Sequence, residues 1–184
     1  MISKSSTPSF MLAGTFVLAL SLTGAGVALA ANDGGGSSDP VKCKEGMTYN
    51  ETTKVCEQTS LLDDQQLYEQ GRALALAGHY ENALEALMAV RNKDDAGVLT
   101  YIGYAKRKMG EVDEGIAWYH KALAIDPDNL FTREYLGEGY VAAGRTDLAE
   151  VQLAKLETLC GTSCEQYEEL AAAIAGEPEH WGGL

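Results

Sequence analysis

Glycine recurs at a near-fixed interval in this chain, and that interval restricts what the chain can fold into. Gly71, Gly103 and Gly137 are separated by 32 and 34 residues. Gly78, Gly110 and Gly144 repeat the same two spacings, as do Ala83, Gly115 and Ala149, and Leu87, Tyr119 and Leu153. Four columns in step at a period near 34 mark an array of like units, each too small to bury its own apolar face alone. Between the columns the apolar residues follow a helical period, as in LYEQGRALALAG around Gly71.

Each column has a physical task. A glycine inside a helix costs about 1 kcal/mol relative to alanine, so Gly71, Gly103 and Gly137 need the compensation of a closely approaching second helix. The small residues Ala83, Gly115 and Ala149 supply the matching surface on that helix. Gly78, Gly110 and Gly144 end the first helix of each pair, where a left-handed residue is wanted. Leu87, Tyr119 and Leu153 are expected to fill the space between successive pairs.

The second unit, residues 96–129, closely resembles the tetratricopeptide repeat. Leu99, Ile102, Gly103, Tyr119, Ala122 and Pro127 fall where that family places its signature residues. Asp126-Pro127 also stops a helix unaided. The third unit, 130–163, matches at Leu136, Gly137, Tyr140, Ala149 and Leu156, with Gly161 where the family has proline. The first, 64–95, is two residues shorter and carries Gln70 where leucine is usual. Lys106 and Arg133 are further departures, expected to weaken packing locally. The resemblance implies an all-α solenoid of three helix-turn-helix repeats within residues 61–163. After it, Ser163 and Gln166 form a capping-box pattern for a helix over 164–175. Tyr167, Leu170, Ala171 and Ile174 give that helix an apolar stripe, so it closes the array. Gly176 ends it, and residues 176–184 read as a tail.

The other end of the chain is not repeat. Lys4 precedes an apolar run from Phe10 to Leu22, and Ala28-Leu29-Ala30 offers small residues for a peptidase. Residues 1–30 therefore read as a signal peptide, with periplasmic export as the expected destination. The alternative is a membrane anchor over residues 10–31, which carry no charge and are long enough to span a bilayer. Residues 31–42, rich in Gly, Ser and Asp, form a flexible linker. Export makes the four cysteines candidates for two local disulfides, Cys43 with Cys56 and Cys160 with Cys164. Other pairings are open at this stage. Within residues 43–60, Met47 and Tyr49 alternate with polar residues and Asn50 to Thr53 form a turn, which predicts a bridged β-hairpin. Closing such a loop contributes about 3 kcal/mol.

Function follows from surfaces rather than from a catalytic motif. The formal net charge of −13 disfavours nucleic acid, whose phosphates need clustered Lys and Arg. It equally disfavours anionic membrane surfaces unless the N-terminal segment stays in place. No nucleophile elbow, zinc-protease motif or phosphate loop occurs, no cofactor or metal is implied, and the chain is not expected to be an enzyme. His79, His120 and His180 are scattered and expected to be exposed.

By the resemblance, the first helix of each pair lines a concave groove that binds another protein. Its lining would comprise Gln65, Tyr68, Arg72 and Leu76, then Thr100, Tyr104, Arg107 and Lys108, then Phe131, Glu134, Glu138 and Val141. The core of that set is Tyr68, Arg72, Thr100, Tyr104, Arg107, Lys108, Phe131, Glu134 and Glu138. Aromatics beside arginine are the chemistry of protein hot spots, and the run Lys106-Arg107-Lys108 suggests a partner segment with acidic character. Members that clamp chaperone C-termini use Lys and Asn, whereas this chain places Tyr68, Arg72, Tyr101, Phe131 and Tyr135 there, so that clamp is not implied. The competing reading is thiol-disulfide or soft-metal handling through Cys160 and Cys164, since a cysteine at a helix N-terminus has a depressed thiol pKa. Against it, the spacing is CxxxC and no His stands near in sequence.

Overall fold

The computed structural model describes residues 41–177. The chain divides into Met1–Ser37 and Ser38–Leu184, and every described residue belongs to the second unit. The signal segment, nearly all of the linker and residues 178–184 lie outside the described residues.

Two strands open the unit, β1 (Met47–Asn50) and β2 (Val55–Gln58), paired antiparallel with Tyr49 opposite Cys56. The Cys43–Cys56 disulfide ties them, as the cysteine spacing suggested. Seven helices follow: α1 (Asp64–Leu76), α2 (Tyr80–Ala89), α3 (Ala96–Lys108), α4 (Val112–Ile125), α5 (Leu130–Ala142), α6 (Thr146–Cys160) and α7 (Glu165–Ala175). The fold is an all-α solenoid with a small disulfide hairpin before it. Helices pair as α1/α2, α3/α4 and α5/α6, while α1, α3, α5 and α7 stand side by side, each touching the next.

The three hairpins close identically. Gly78, Gly110 and Gly144 have φ of +84°, +89° and +71°. In each turn the residue after the glycine donates its N–H back across the last helical turn: His79 to Leu74, Glu111 to Lys106, Arg145 to Tyr140. That is the left-handed glycine closure the sequence calls for. The first helix of each pair starts with a side-chain cap, from Asp63, Asp95 or Asn129. The second helices start without one, directly out of the glycine turn.

The glycine columns meet helices at close range. A Cβ on Gly103 would stand 3.0 Å from the Gly115 carbonyl oxygen, and one on Gly71 would stand 3.3 Å from that of Ala83. Two members of the bulky column also act inside their own pairs. Leu87 and Tyr119 lie on Gly71 and Gly103, while Tyr119 reaches the next pair as expected, meeting Gly139 and the Tyr135 ring of α5. On Gly137 the covering side chain is Leu170 from α7, and Leu153 is only half-buried. In the last repeat the closing helix, not the second helix of the pair, supplies the knob.

The departures from the repeat pattern have local causes. Gln70 faces the hairpin, where its amide donates to Glu57 at 2.9 Å, a bond that a leucine could not make. Lys106 reaches Glu111 and Glu114 across the turn. Arg133 donates to Gln152 at 3.1 Å. Gly161 ends α6 with φ +83°.

Two expectations at the ends need correction. The Ser163–Gln166 capping box does not form: the cap of α7 is Cys164, with no side-chain cap bond. The Cys160–Cys164 disulfide accompanies a helix start one residue later than the box requires, and Gln166 turns inward to 7% exposure. On β1, Thr48 is buried along with Tyr49, because the strand lies against both α1 and α2. Its packing makes the hairpin the cover of the array's first face: Tyr49 meets the His79 ring edge-on at 6.2 Å, and Asn82 donates to the Val41 carbonyl at 2.7 Å.

Candidate functional site

The helices α1, α3 and α5 bring tyrosines together in the core between them, Tyr101, Tyr104 and Tyr135 buried and Tyr68 half-buried at the edge. Tyr68 meets Tyr101 with ring centroids 6.1 Å apart, Tyr101 meets Tyr135 at 6.3 Å, and Tyr104 meets Tyr135 at 5.1 Å. These edge-on and tilted contacts suit the ring quadrupoles. Tyr119 joins from α4, 6.3 Å from Tyr135. Burial holds the Tyr119 and Tyr135 hydroxyls well above the ordinary phenol range, so both remain hydrogen-bond donors at any physiological pH.

Cations decorate this ladder. Arg72 is exposed; its Nε donates to the Tyr101 hydroxyl at 2.9 Å and its guanidinium lies 5.6 Å over the same ring. Lys108 is half-buried, with Nζ 5.6 Å from the Tyr104 ring. Tyr68 is also half-buried and Phe131 is 48% exposed. Gln65 and Leu76 are exposed and Val141 half-buried. These residues are accessible to a partner.

The other expected groove residues are turned into the helix contacts. Thr100 is 2% exposed and its hydroxyl pairs with that of Thr132 at 2.6 Å. Tyr104 is 3% exposed, packed in the ladder. Arg107 is 7% exposed, contacts Glu138 of α5 as a buried ion pair and reaches toward the Tyr119 hydroxyl at 3.4 Å. Glu134 and Glu138 are each 7% exposed. The basic run Lys106-Arg107-Lys108 is therefore not one patch. Successive helical residues point about 100° apart, and these three reach the turn, the core and the Tyr104 ring respectively.

Glu134 differs from Glu138. Burial, then the Glu138, Glu169 and Glu165 carboxylates, push its pKa up to about 9, against the opposing pull of Arg107. Held as the acid, it makes stability fall as pH rises from the ordinary carboxylate range towards 9, because the unfolded chain releases a proton that the folded one keeps.

Sequence reasoning missed Tyr101 and Tyr135 as ladder members and Gln166 as a buried group. Tyr101 and Tyr135 stand 34 residues apart, one repeat, and that spacing was the available signal. Of the histidines, His120 is exposed as expected and bonds the Tyr140 hydroxyl at 2.9 Å, whereas His79 is half-buried and faces Glu51 at 3.3 Å. His180 lies outside the described residues. All four cysteines are paired. Among the described residues no group of three or more His, Cys, Asp or Glu is disposed to hold a metal ion, and no helix is long and apolar enough to cross a membrane.

The helix pairs and their glycine turns define the fold class, a tetratricopeptide-like helical repeat. Two solved structures share it. MamA superposes with a TM-score of 0.54 at 20% identity, over 61% of this chain and 67% of that one. PcrH, in complex with the chaperone binding region of PopB, gives a TM-score of 0.51 at 22% identity, over 61% of this chain and 92% of that one. At these identities the likeness speaks for the fold alone. No protein-family model matches the chain, and the search of characterised proteins finds no match either.

Proposed function

We propose that this protein is an exported interaction scaffold whose α1–α3–α5–α7 side holds a segment of another protein, in the service of assembling an envelope complex. The observation that carries the reading is the row of accessible Tyr68, Arg72, Lys108 and Phe131 on that side, with Arg72 and Lys108 held over rings of the buried tyrosine ladder beneath them. Rigid aromatic area beside cations binds polypeptide at little entropic cost. The PcrH structure, in which a like fold is bound to a region of PopB, supports a protein segment as the kind of ligand. Two disulfides and the leader-like residues 1–30 support export to an oxidising compartment such as the periplasm.

The thiol reading of Cys160 and Cys164 is the weaker proposal. Their sulfurs are joined to each other across the α6–α7 junction, where a staple holds the closing helix to the last repeat.

Reversing Arg72 and Lys108 together (R72E/K108E) is expected to reduce partner recovery about tenfold or more in crosslinked pull-downs from the native envelope. The fold should survive, since neither side chain is in the core. Unchanged recovery would overturn the assignment of this face. Arg107 is left out of the variant because its reversal would report on folding.

A further inference from the structure

The α5–α7 seam contains two largely buried polar side chains whose polar ends take no partner from the described residues and stay open to solvent. Leu170 of α7 lies on Gly137 of α5. One turn earlier on each helix, on the side of this contact, stand Gln166 and Glu134. Each is 7% exposed, and neither makes a hydrogen bond or ion pair among the described residues. Nor are their terminal atoms among the unpartnered polar atoms sealed from solvent, so the exposed fraction includes the polar ends. Buried polar groups are normally satisfied within the fold; a reachable pair left open is what a ligand completes.

The surroundings specify the ligand's charge. Acting on Glu134 are Glu138 from its own helix, Glu165 and Glu169 from α7, and Arg107 from α3. The guanidinium of Arg107 is already engaged by Glu138. The hydroxyl-bearing neighbours are Tyr119 of α4 and Tyr135 of α5, whose ionisation Glu134 opposes. The missing element is a cation. A metal ion does not suit the place, because no ligand cluster for one occurs among the described residues. A guanidinium does, since its fork of donors can serve a carboxylate and a carboxamide oxygen together.

We propose that Glu134 and Gln166 in the α5–α7 seam receive an arginine side chain of the protein segment held on the α1–α3–α5–α7 side. The inference rests on the scaffold reading and sharpens it: the segment lies with its basic residue at α7 and its acidic character towards Arg72 and Lys108. Charge complementarity then fixes the segment's direction as well as its place. Because Glu134 must give up its proton to pair with the arginine, binding tightens as pH rises through neutrality.

The test selects binders to the full mature chain from a random peptide library, then measures one arginine-bearing peptide and its citrulline analogue by calorimetry. Citrulline keeps the shape and removes the charge. The substitution is expected to cost the wild type about tenfold in affinity and to cost the E134Q variant nothing. The arginine peptide should gain affinity from pH 6 to pH 8, and the citrulline peptide should not. E134Q keeps the side chain's volume, and an undiminished thermal midpoint verifies its fold. An equal citrulline penalty in both proteins overturns the proposal. So do selected peptides that lack a basic residue yet lose binding to R72E/K108E, an outcome that leaves the scaffold reading standing. Failure of every selected peptide to bind this side of the array overturns both.

Discussion

Replacing Arg107 by alanine is expected to destabilise the protein by about 4 kcal/mol, the largest effect of any single substitution proposed, because it removes the buried guanidinium paired with a buried carboxylate. The Arg107 and Glu138 side chains are only 5% and 7% exposed. Removing the guanidinium leaves Glu138 one turn from Glu134 on the same side of α5, with Glu165 and Glu169 acting on Glu134 from α7. The Tyr119 hydroxyl loses its cation as well. Urea unfolding checks this through a lower midpoint at unchanged slope. The double replacement R107M/E138L should recover most of the loss, since an apolar pair of similar volume avoids the desolvation of two ions. A single-variant loss below about 1 kcal/mol would mean that the pair is solvated and the α3–α5 contact differently built.

The second large effect is at Gly115. A Cβ there would stand 2.8 Å from the Gly103 carbonyl oxygen and 3.0 Å from the Arg107 Cβ. The first of these is backbone, which cannot rotate away. Valine gains a few tenths of a kcal/mol of helix propensity over glycine, against an overpacking cost of about 3 kcal/mol. The expected outcome is a thermal midpoint lower by roughly 10 °C. Ala117, on the same helix and exposed, is the control: A117V should move stability by no more than about 0.5 kcal/mol. Equal effects at both positions would show that helix propensity governs, not the α3–α4 approach.

The array was legible in the sequence because its devices are periodic. The turn glycines, the close-approach glycines and the small residues opposite them recur in columns, and the structure uses them as the columns suggest. The hairpin was legible from alternation and two cysteines. What could not be read were contacts whose partner depends on a neighbouring element. Gln70 looked like a flaw until the hairpin came to cover the first repeat. Leu153 was expected to fill the space beyond the third pair, but it is only half-buried, and the closing helix brings Leu170 onto Gly137. Ser163 and Gln166 had the right spacing for a capping box, yet the helix begins at Glu165 and Gln166 faces inward.

The site was less legible than the fold for a geometric reason. Positions on the first helix of each repeat mark the side of the array, but not whether a side chain lies on it or beneath it. Thr100, Tyr104, Arg107, Glu134 and Glu138 lie beneath, and their interactions join α3 to its neighbours. Tyr68, Arg72, Lys108 and Phe131 are the members a partner can reach. A basic triplet in the sequence became three unrelated contacts once helical rotation separated them.

The central claim is that a protein segment is held on the α1–α3–α5–α7 side. It is tested most directly by placing a photo-crosslinking phenylalanine at Phe131 of α5 and, separately, at Val151 of α6. The two positions are similarly exposed, at 48% and 52%, so accessibility does not bias the comparison. In cells of the native host, the account predicts a discrete protein adduct from position 131, lost in the R72E/K108E background, and none from position 151. A discrete adduct from 151 with none from 131 would contradict it.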